Sequence, residues 1–108
     1  IMLPHLHKYK LESESINSHN HTLSGYTENA IGISSFHFHF YWGISSYKGH
    51  THYFSGITGL PLKTENGHIH KMEGILESNN RHEHSYVNNT FEDVEYTKSK
   101  SPKEAYMT

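Results

Sequence analysis

All twelve histidines of the chain fall into six His-x-His pairs. Random placement of the same residues would give only about 1.3 pairs at this spacing, so the pairing is far from chance. In an extended strand, residues i and i+2 project from the same face about 6.6 Å apart, and both imidazoles can then bind one metal ion. We therefore predict twelve metal ligands: His5, His7, His19, His21, His37, His39, His50, His52, His68, His70, His82 and His84.

The pairs recur with a regular period. They begin at residues 5, 19, 37, 50, 68 and 82, so short and long steps alternate and two pairs return every 31 or 32 residues. Glycine follows four of the pairs in the pattern His-x-His-x-x-x-Gly, and we interpret these glycines as turn or bulge positions. Asn88 takes the place of glycine after the last pair, and Leu11 after the first. A fixed period of this length is typical of repeat proteins, here with three double repeats.

The elements that must carry the pairs are predicted to be strands. In the segment FHFHFYW, aromatic residues alternate with His37, His39 and Tyr41, which indicates a strand with one apolar and one histidine face. Glycines and β-branched residues are frequent, and no segment sustains a helical apolar period. We predict a small all-β repeat protein of antiparallel hairpins, each strand carrying one pair. Its expected core aromatics are Phe36, Phe38, Phe40, Trp42, Tyr53 and Phe54.

The repeats are assigned to residues 1–90 and a polar C-terminal tail to residues 91–108. The first segment, behind Pro4, is expected to form an edge strand at best. An open stack of β repeats leaves unpaired strand edges at both ends, and such edges pair with further chains unless they are capped. The sequence therefore predicts copies of this chain as partners.

Two groupings of the pairs into sites follow from the steps. If the two pairs of a short step face each other across a hairpin, three four-histidine sites result. They are His5, His7, His19 and His21; His37, His39, His50 and His52; and His68, His70, His82 and His84. The other grouping joins pairs across the long steps and leaves the terminal pairs to another subunit. Copper heads the affinity order for nitrogen donors, with zinc and nickel as alternatives.

Composition narrows the function classes. Hydrophobic residues make up 33% of 108 positions, which is thin for a self-sufficient core, and the chain has no cysteine to form disulfides. Metal binding or oligomerisation must then stabilise the fold. A formal charge of −2 argues against a nucleic-acid partner, and no apolar run is long enough to span a membrane. The sequence carries no Ser/His/Asp triad, phosphate loop or haem-attachment motif, and we do not expect an enzyme.

The motifs GHTHYFSGITG and NGHIHKMEGI resemble the YmaF-like group of small bacterial histidine-rich proteins. The resemblance extends over about residues 18–90 and rests on the repeated His-x-His-x-x-x-Gly unit. It implies no established reaction, so the metal hypothesis depends on spacing alone.

Together these features predict a metal-binding structural protein, the subunit of a metal-loaded homopolymer that forms an extracellular filament. Its location would be extracellular or at the cell or spore surface. A soluble metal buffer or sensor is the alternative, and a metalloenzyme is a third class.

Overall fold

Ten β-strands form the part of the chain that the computed structural model describes, residues 3–16, 18–77 and 83–96. Helices are absent from these residues, which confirms the predicted all-β class. The strands are β1 (His5–Glu12), β2 (Thr22–Tyr26), β3 (Ile31–Ile33), β4 (Phe36–Phe38), β5 (Phe40–Ile44), β6 (Tyr53–Ile57), β7 (Pro61–Thr64), β8 (Gly67–Ile75), β9 (Ser85–Asn89) and β10 (Asp93–Glu95).

The strands build three similar units, all with antiparallel pairing. Each unit has a long strand, a hairpin partner and a short flanking strand: β1, β2 and β10; β4–β5, β6 and β3; β8, β9 and β7. Only His39 separates β4 from β5, so the two act as one long strand equivalent to β1 and β8. The predicted double repeat is therefore the structural unit.

The three units close into a ring rather than an open stack. The same backbone hydrogen bond joins each unit to the next, and the third copy, from Phe91 N–H to the carbonyl of Lys8 at 2.9 Å, returns to the first unit. The other two run from Glu28 to Phe40 at 2.8 Å and from Gly59 to Lys71 at 2.9 Å. Two predictions are therefore wrong: the stack has no open edge at β1, and β1 is a central strand between β10 and β2.

The C-terminal strand β10 supplies this closure. It lies inside the segment assigned to the tail, and its register pairs Asp93 with His7 and Glu95 with His5. Residues 97–108 lie outside the described residues.

The histidine face is the inner face of the ring, and the predicted core aromatics lie mostly on the outer one. Phe36, Phe40, Trp42 and Tyr53 are exposed, and only Phe54 is buried as expected. Both faces alternate with the same period of two, so periodicity could not tell which one closes inward. The observed core contains Tyr9, Leu11, Leu23, Tyr41, Phe54, Met72, Leu76 and Tyr86.

The repeated glycines lie within strands, opposite an inward aromatic ring, and not in the predicted turns or bulges. Gly56 pairs with Tyr41 and Gly43 pairs with Phe54 in the β5–β6 register. A Cβ atom at Gly56 would lie 2.5 Å from the Tyr41 hydroxyl, and one at Gly43 would lie 2.6 Å from the Phe54 ring. The missing side chain therefore makes room for the ring of the neighbouring strand.

Candidate metal centre

The six pairs separate into two clusters at opposite ends of the core. The long strands β1, β4–β5 and β8 bring one pair each to the first cluster: His5, His7, His37, His39, His68 and His70. The segments just before the hairpin partners β2, β6 and β9 carry the histidines of the second cluster. Its described members are His19, His21, His50, His52 and His84. His82 lies outside the described residues.

Both predicted groupings of pairs into sites are therefore wrong. Each pair lies at the N-terminal side of its own strand, and the two strands of a hairpin run in opposite directions. His5 and His21 of the first hairpin thus lie at opposite ends of it, with Tyr9, Leu11 and Leu23 between them. Closure of the ring then unites corresponding pairs of the three repeats, not neighbouring pairs.

The six Nε2 atoms of the first cluster face one another. Those of His5, His37 and His68 form a triangle with sides of 3.1–3.3 Å. The Nε2 atoms of His7 and His68, and of His70 and His37, are also 3.1 Å apart. Each of the six histidines offers one ring nitrogen that lies within 4.8 Å of the other five.

The rings of the first cluster are arranged as the corners of an octahedron. Their planes are steeply inclined to one another, and neighbouring centroids are separated by 4.5–5.4 Å. Only three pairs of rings are not neighbours, and they are opposite corners: His5 and His70, His7 and His37, His39 and His68. The first histidines of the pairs form the outer triangle (His5, His37 and His68), and the second histidines, which are fully buried, form the inner triangle (His7, His39 and His70).

Hydrogen bonds at Nδ1, the other ring nitrogen, determine whether Nε2 carries a proton or a lone pair. A backbone carbonyl only accepts, so an Nδ1 atom beside one must carry the proton and donate it, which leaves a lone pair on Nε2. The Nδ1 donors and their carbonyl acceptors are His5 to Leu3 at 3.0 Å, His7 to Phe91 at 2.9 Å, His37 to Ile33 and Ser34 at 3.1 Å, His39 to Glu28 at 2.8 Å and His70 to Gly59 at 2.7 Å.

His68 departs from this pattern. Its Nδ1 lies 3.3 Å from the carboxylate of Asp93, which also accepts the His68 backbone N–H at 3.1 Å. A carboxylate behind a ligating histidine is a common outer partner in metal sites, because it orients the ring and makes the ligand more basic. Asp93 comes from the closing strand β10, and nothing in the sequence pattern singled it out.

Three threonines hold the inner triangle and were also missed from the sequence. The backbone N–H groups of His7, His39 and His70 donate to a threonine hydroxyl at 3.0 Å each. The threonines recur with the same double-repeat period as the histidines. This shared period is the feature of the sequence that could have identified them. They are Thr27, Thr58 and Thr90.

Burial favours the neutral form of five of these rings, and metal binding requires that form. Desolvation is the main cause that lowers the pKa of His7 to about 3, that of His39 to about 2 and that of His70 to about 4. The carbonyl hydrogen bonds act in the opposite direction and are outweighed. Burial also lowers the pKa of His37 and His68. The Nε2 atom of His39 is fully buried and has no hydrogen-bond partner.

The second cluster follows the same design over its described residues. The Nδ1 atoms of His21, His52 and His84 donate to backbone carbonyls. The Nε2 atoms of His50 and His52 are 3.1 Å apart, and His21 has a buried Nε2 without a hydrogen-bond partner. The carbonyls belong to Ser46, Glu77 and Glu14, which again occupy equivalent positions in the three double repeats.

The fold and these clusters define a closed all-β repeat protein with two buried all-histidine groups that could hold metal ions. The chain belongs to the YmaF family, whose model is described as spore germination protein GerY/YamF and matches residues 45–101. This match confirms the resemblance seen in the sequence. No curated protein and no solved structure matches the chain. Within the described residues, no helix has the length and apolar character needed to cross a membrane.

Proposed function

We propose that the protein is a metal-binding structural protein in which each histidine cluster holds one transition-metal ion. The ion replaces part of the hydrophobic core that a chain with 33% hydrophobic residues lacks. Its binding free energy then contributes directly to the free energy of folding.

One observation supports this proposal above all others. In the first cluster, lone pairs on Nε2 atoms face one another at 3.1–3.3 Å, while the Nδ1 atoms are occupied by acceptors. Two lone pairs at that distance repel each other, and no donor satisfies the buried Nε2 of His39. A buried polar atom without a partner costs about 1–3 kcal/mol, so such an array is unfavourable unless a cation lies at its centre.

Elemental analysis of protein purified without added metal tests the proposal. We expect about two transition-metal ions per chain, one for each cluster. His39→Ala should lose the ion of the first cluster, and His21→Ala that of the second. Phe40→Ala is the matched control, because Phe40 follows His39 in the chain and faces the outside. A metal-free protein that also fails to titrate with copper, zinc, nickel, cobalt or iron would refute the proposal.

Assembly into a metal-loaded filament is the more specific part of the proposed function. The predicted open edge cannot drive it, because β10 pairs with β1. The outer face of the middle unit supports self-association instead, since Phe40, Trp42, Tyr53 and Ile57 are exposed there. Exposed apolar surface of this kind is typical of interaction sites. Electron microscopy with and without metal is the test, and discrete one-chain particles in the presence of metal would contradict the filament.

A soluble buffer or sensor is the alternative to a structural role, and a metalloenzyme is less well supported. Catalytic metal sites keep an open coordination position, whereas six convergent nitrogen donors leave none. A buffer would exchange its ions readily while remaining monomeric, so exchange rate and mass together separate the two roles. The family description refers to spore germination, which supports the proposed surface location. Immunolabelling of intact spores and cells tests that location.

A further inference from the structure

The geometry points to six-coordinate, octahedral binding in the first cluster and therefore to divalent first-row ions that accept six nitrogen donors. Nickel(II), cobalt(II) and iron(II) form this class. The octahedron of six Nε2 atoms, which we call the cage, disfavours copper and zinc. This inference rests on the proposed function but goes beyond it, because metal binding alone implies neither a coordination number nor a preferred ion.

The size of the cage carries the first step. In an octahedron, the centre lies at the edge length divided by the square root of two from each corner. Edges of 3.1–3.3 Å between Nε2 atoms place the centre about 2.2–2.3 Å from each nitrogen. Zinc–imidazole bonds in tetrahedral sites are about 2.0–2.1 Å long, and six donors around one ion require slightly longer bonds than four. The cage therefore has the dimensions of a first-row metal ion with six nitrogen ligands.

The donor set carries the second step. Neutral imidazole suits iron, nickel, copper and zinc, whereas magnesium and calcium prefer oxygen ligands. The donors of the cluster are all nitrogen, and the carboxylate of Asp93 lies behind His68 at its Nδ1 rather than inside the cage. Copper(II) favours a tetragonal arrangement and zinc a tetrahedral one. Neither ion uses all six donors equally well.

The rigidity of the ligands carries the third step. Five of the six Nδ1 atoms donate to backbone carbonyls, and the inner three residues are also held through their backbone N–H groups by threonine hydroxyls. A four-coordinate ion would need two rings to turn away or would leave two buried lone pairs without a partner. The protein resists both outcomes, so the cage selects for coordination number.

Cobalt(II) substitution tests the inference on the complete chain. Octahedral cobalt absorbs weakly in the visible region, and tetrahedral cobalt absorbs intensely. X-ray absorption spectroscopy of the same sample counts the ligands. We expect weak absorption, six nitrogen neighbours at about 2.2 Å, and at least about tenfold tighter binding of nickel than of zinc in competition.

A variant separates the roles of individual ligands. His68→Ala removes the half-buried ligand of the outer triangle, and water can then enter the vacated position. We expect five nitrogens and one oxygen around cobalt and a loss of affinity of at least about tenfold, since even the loss of an outer partner of a ligand costs that much. Lys63→Ala is the control, because Lys63 is the exposed cross-strand partner of His68 and should leave both readouts unchanged.

The outcomes distinguish the inference from the function beneath it. Cobalt that binds with four nitrogens and intense absorption, or zinc that outcompetes nickel, would overturn octahedral selection while leaving metal binding intact. No binding of any of these ions would overturn both. Since the spectroscopy uses the unmodified protein, a variant that fails to fold does not decide the result.

Discussion

Replacement of Gly56 by alanine tests how the repeated glycine supports the histidine pairs. The new Cβ atom would lie 2.5 Å from the Tyr41 hydroxyl oxygen and 2.7 Å from Cζ of the same ring. Ordinary contacts of this kind are about 3.5–4.0 Å, so the ring must move by about 1 Å. Tyr41 is buried, follows His39 by two residues on the same face, and shares a 2.7 Å hydrogen bond with Tyr86. Its displacement therefore strains both the core and the cluster.

The expected cost follows from these contacts. Overpacking of a core costs about 1–3 kcal/mol, and loss of the buried hydroxyl pair adds about 1 kcal/mol. Alanine reduces the entropy of the unfolded chain, which returns about 0.4–1 kcal/mol. The net loss in the free energy of unfolding is then about 2–3 kcal/mol, which lowers the Tm by about 10–20 °C in a domain of this size.

Thermal unfolding followed by circular dichroism, in metal-free and in metal-loaded protein, measures this loss. Gly59→Ala is the matched control, because its Cβ would lie 3.6 Å from the nearest atom, in ordinary contact with Lys71. It should melt at the temperature of the parent or slightly above. Tyr41→Leu shortens the obstructing side chain, so the double variant with Gly56→Ala should be more stable than the sum of the two single effects. If Gly56→Ala and Gly59→Ala melt within about 3 °C of each other, the glycine does not serve to admit the ring.

Three further outcomes are expected. Chelation should weaken the strand signal in circular dichroism and lower the Tm, since the core is apolar-poor, and a spectrum and Tm unchanged by EDTA would show that packing suffices. In metal-free protein, the pKa values of His7, His39 and His70 are about 3, 2 and 4 in the folded state, and 6.5 in the unfolded state. Below pH 6.5 the unfolded state therefore binds more protons than the folded state. Stability should then fall as the pH is lowered from 6.5 towards 4, and urea midpoints that do not change between pH 6.5 and 4 would contradict this. Tyr86→Phe should cost about 1–2 kcal/mol because the buried Tyr41 hydroxyl loses its partner, and the double variant Tyr41→Phe/Tyr86→Phe should cost less than twice that in a urea titration.

The local chemistry of the chain could be predicted from its sequence. The spacing of the pairs predicted strands with both histidines on one face, and their period predicted a repeat unit that contains two pairs. The structure confirms the repeat unit, and it confirms the strand for the pairs of β1 and β8, because the side-chain alternation of a strand is a local property of the backbone. The described histidines of the second cluster lie in the segments just before β2, β6 and β9. The same period extends to Thr27, Thr58 and Thr90, which a search for other residues in register would have found.

The choice of inner face could not be predicted in this way. In the segment from Phe36 to Trp42, the aromatic and histidine faces alternate with the same period, and hydrophobicity alone assigns the aromatics to the core. The structure buries His37, His39 and Tyr41 and exposes Phe36 and Trp42. Which face turns inward depends on how three units meet around a common centre, and no single strand contains that information.

The grouping of ligands was likewise decided by the tertiary structure. Neighbouring pairs in the chain are close in sequence, but antiparallel strands carry them to opposite ends of the hairpin. Equivalent pairs lie one or two double repeats apart in the chain and meet only because the ring closes, with β10 pairing onto β1 across almost the whole described chain. The sequence alone thus determined which residues can ligate and how each pair projects from its strand. Strand direction and ring closure, which depend on contacts between distant residues, decided which six histidines face one another.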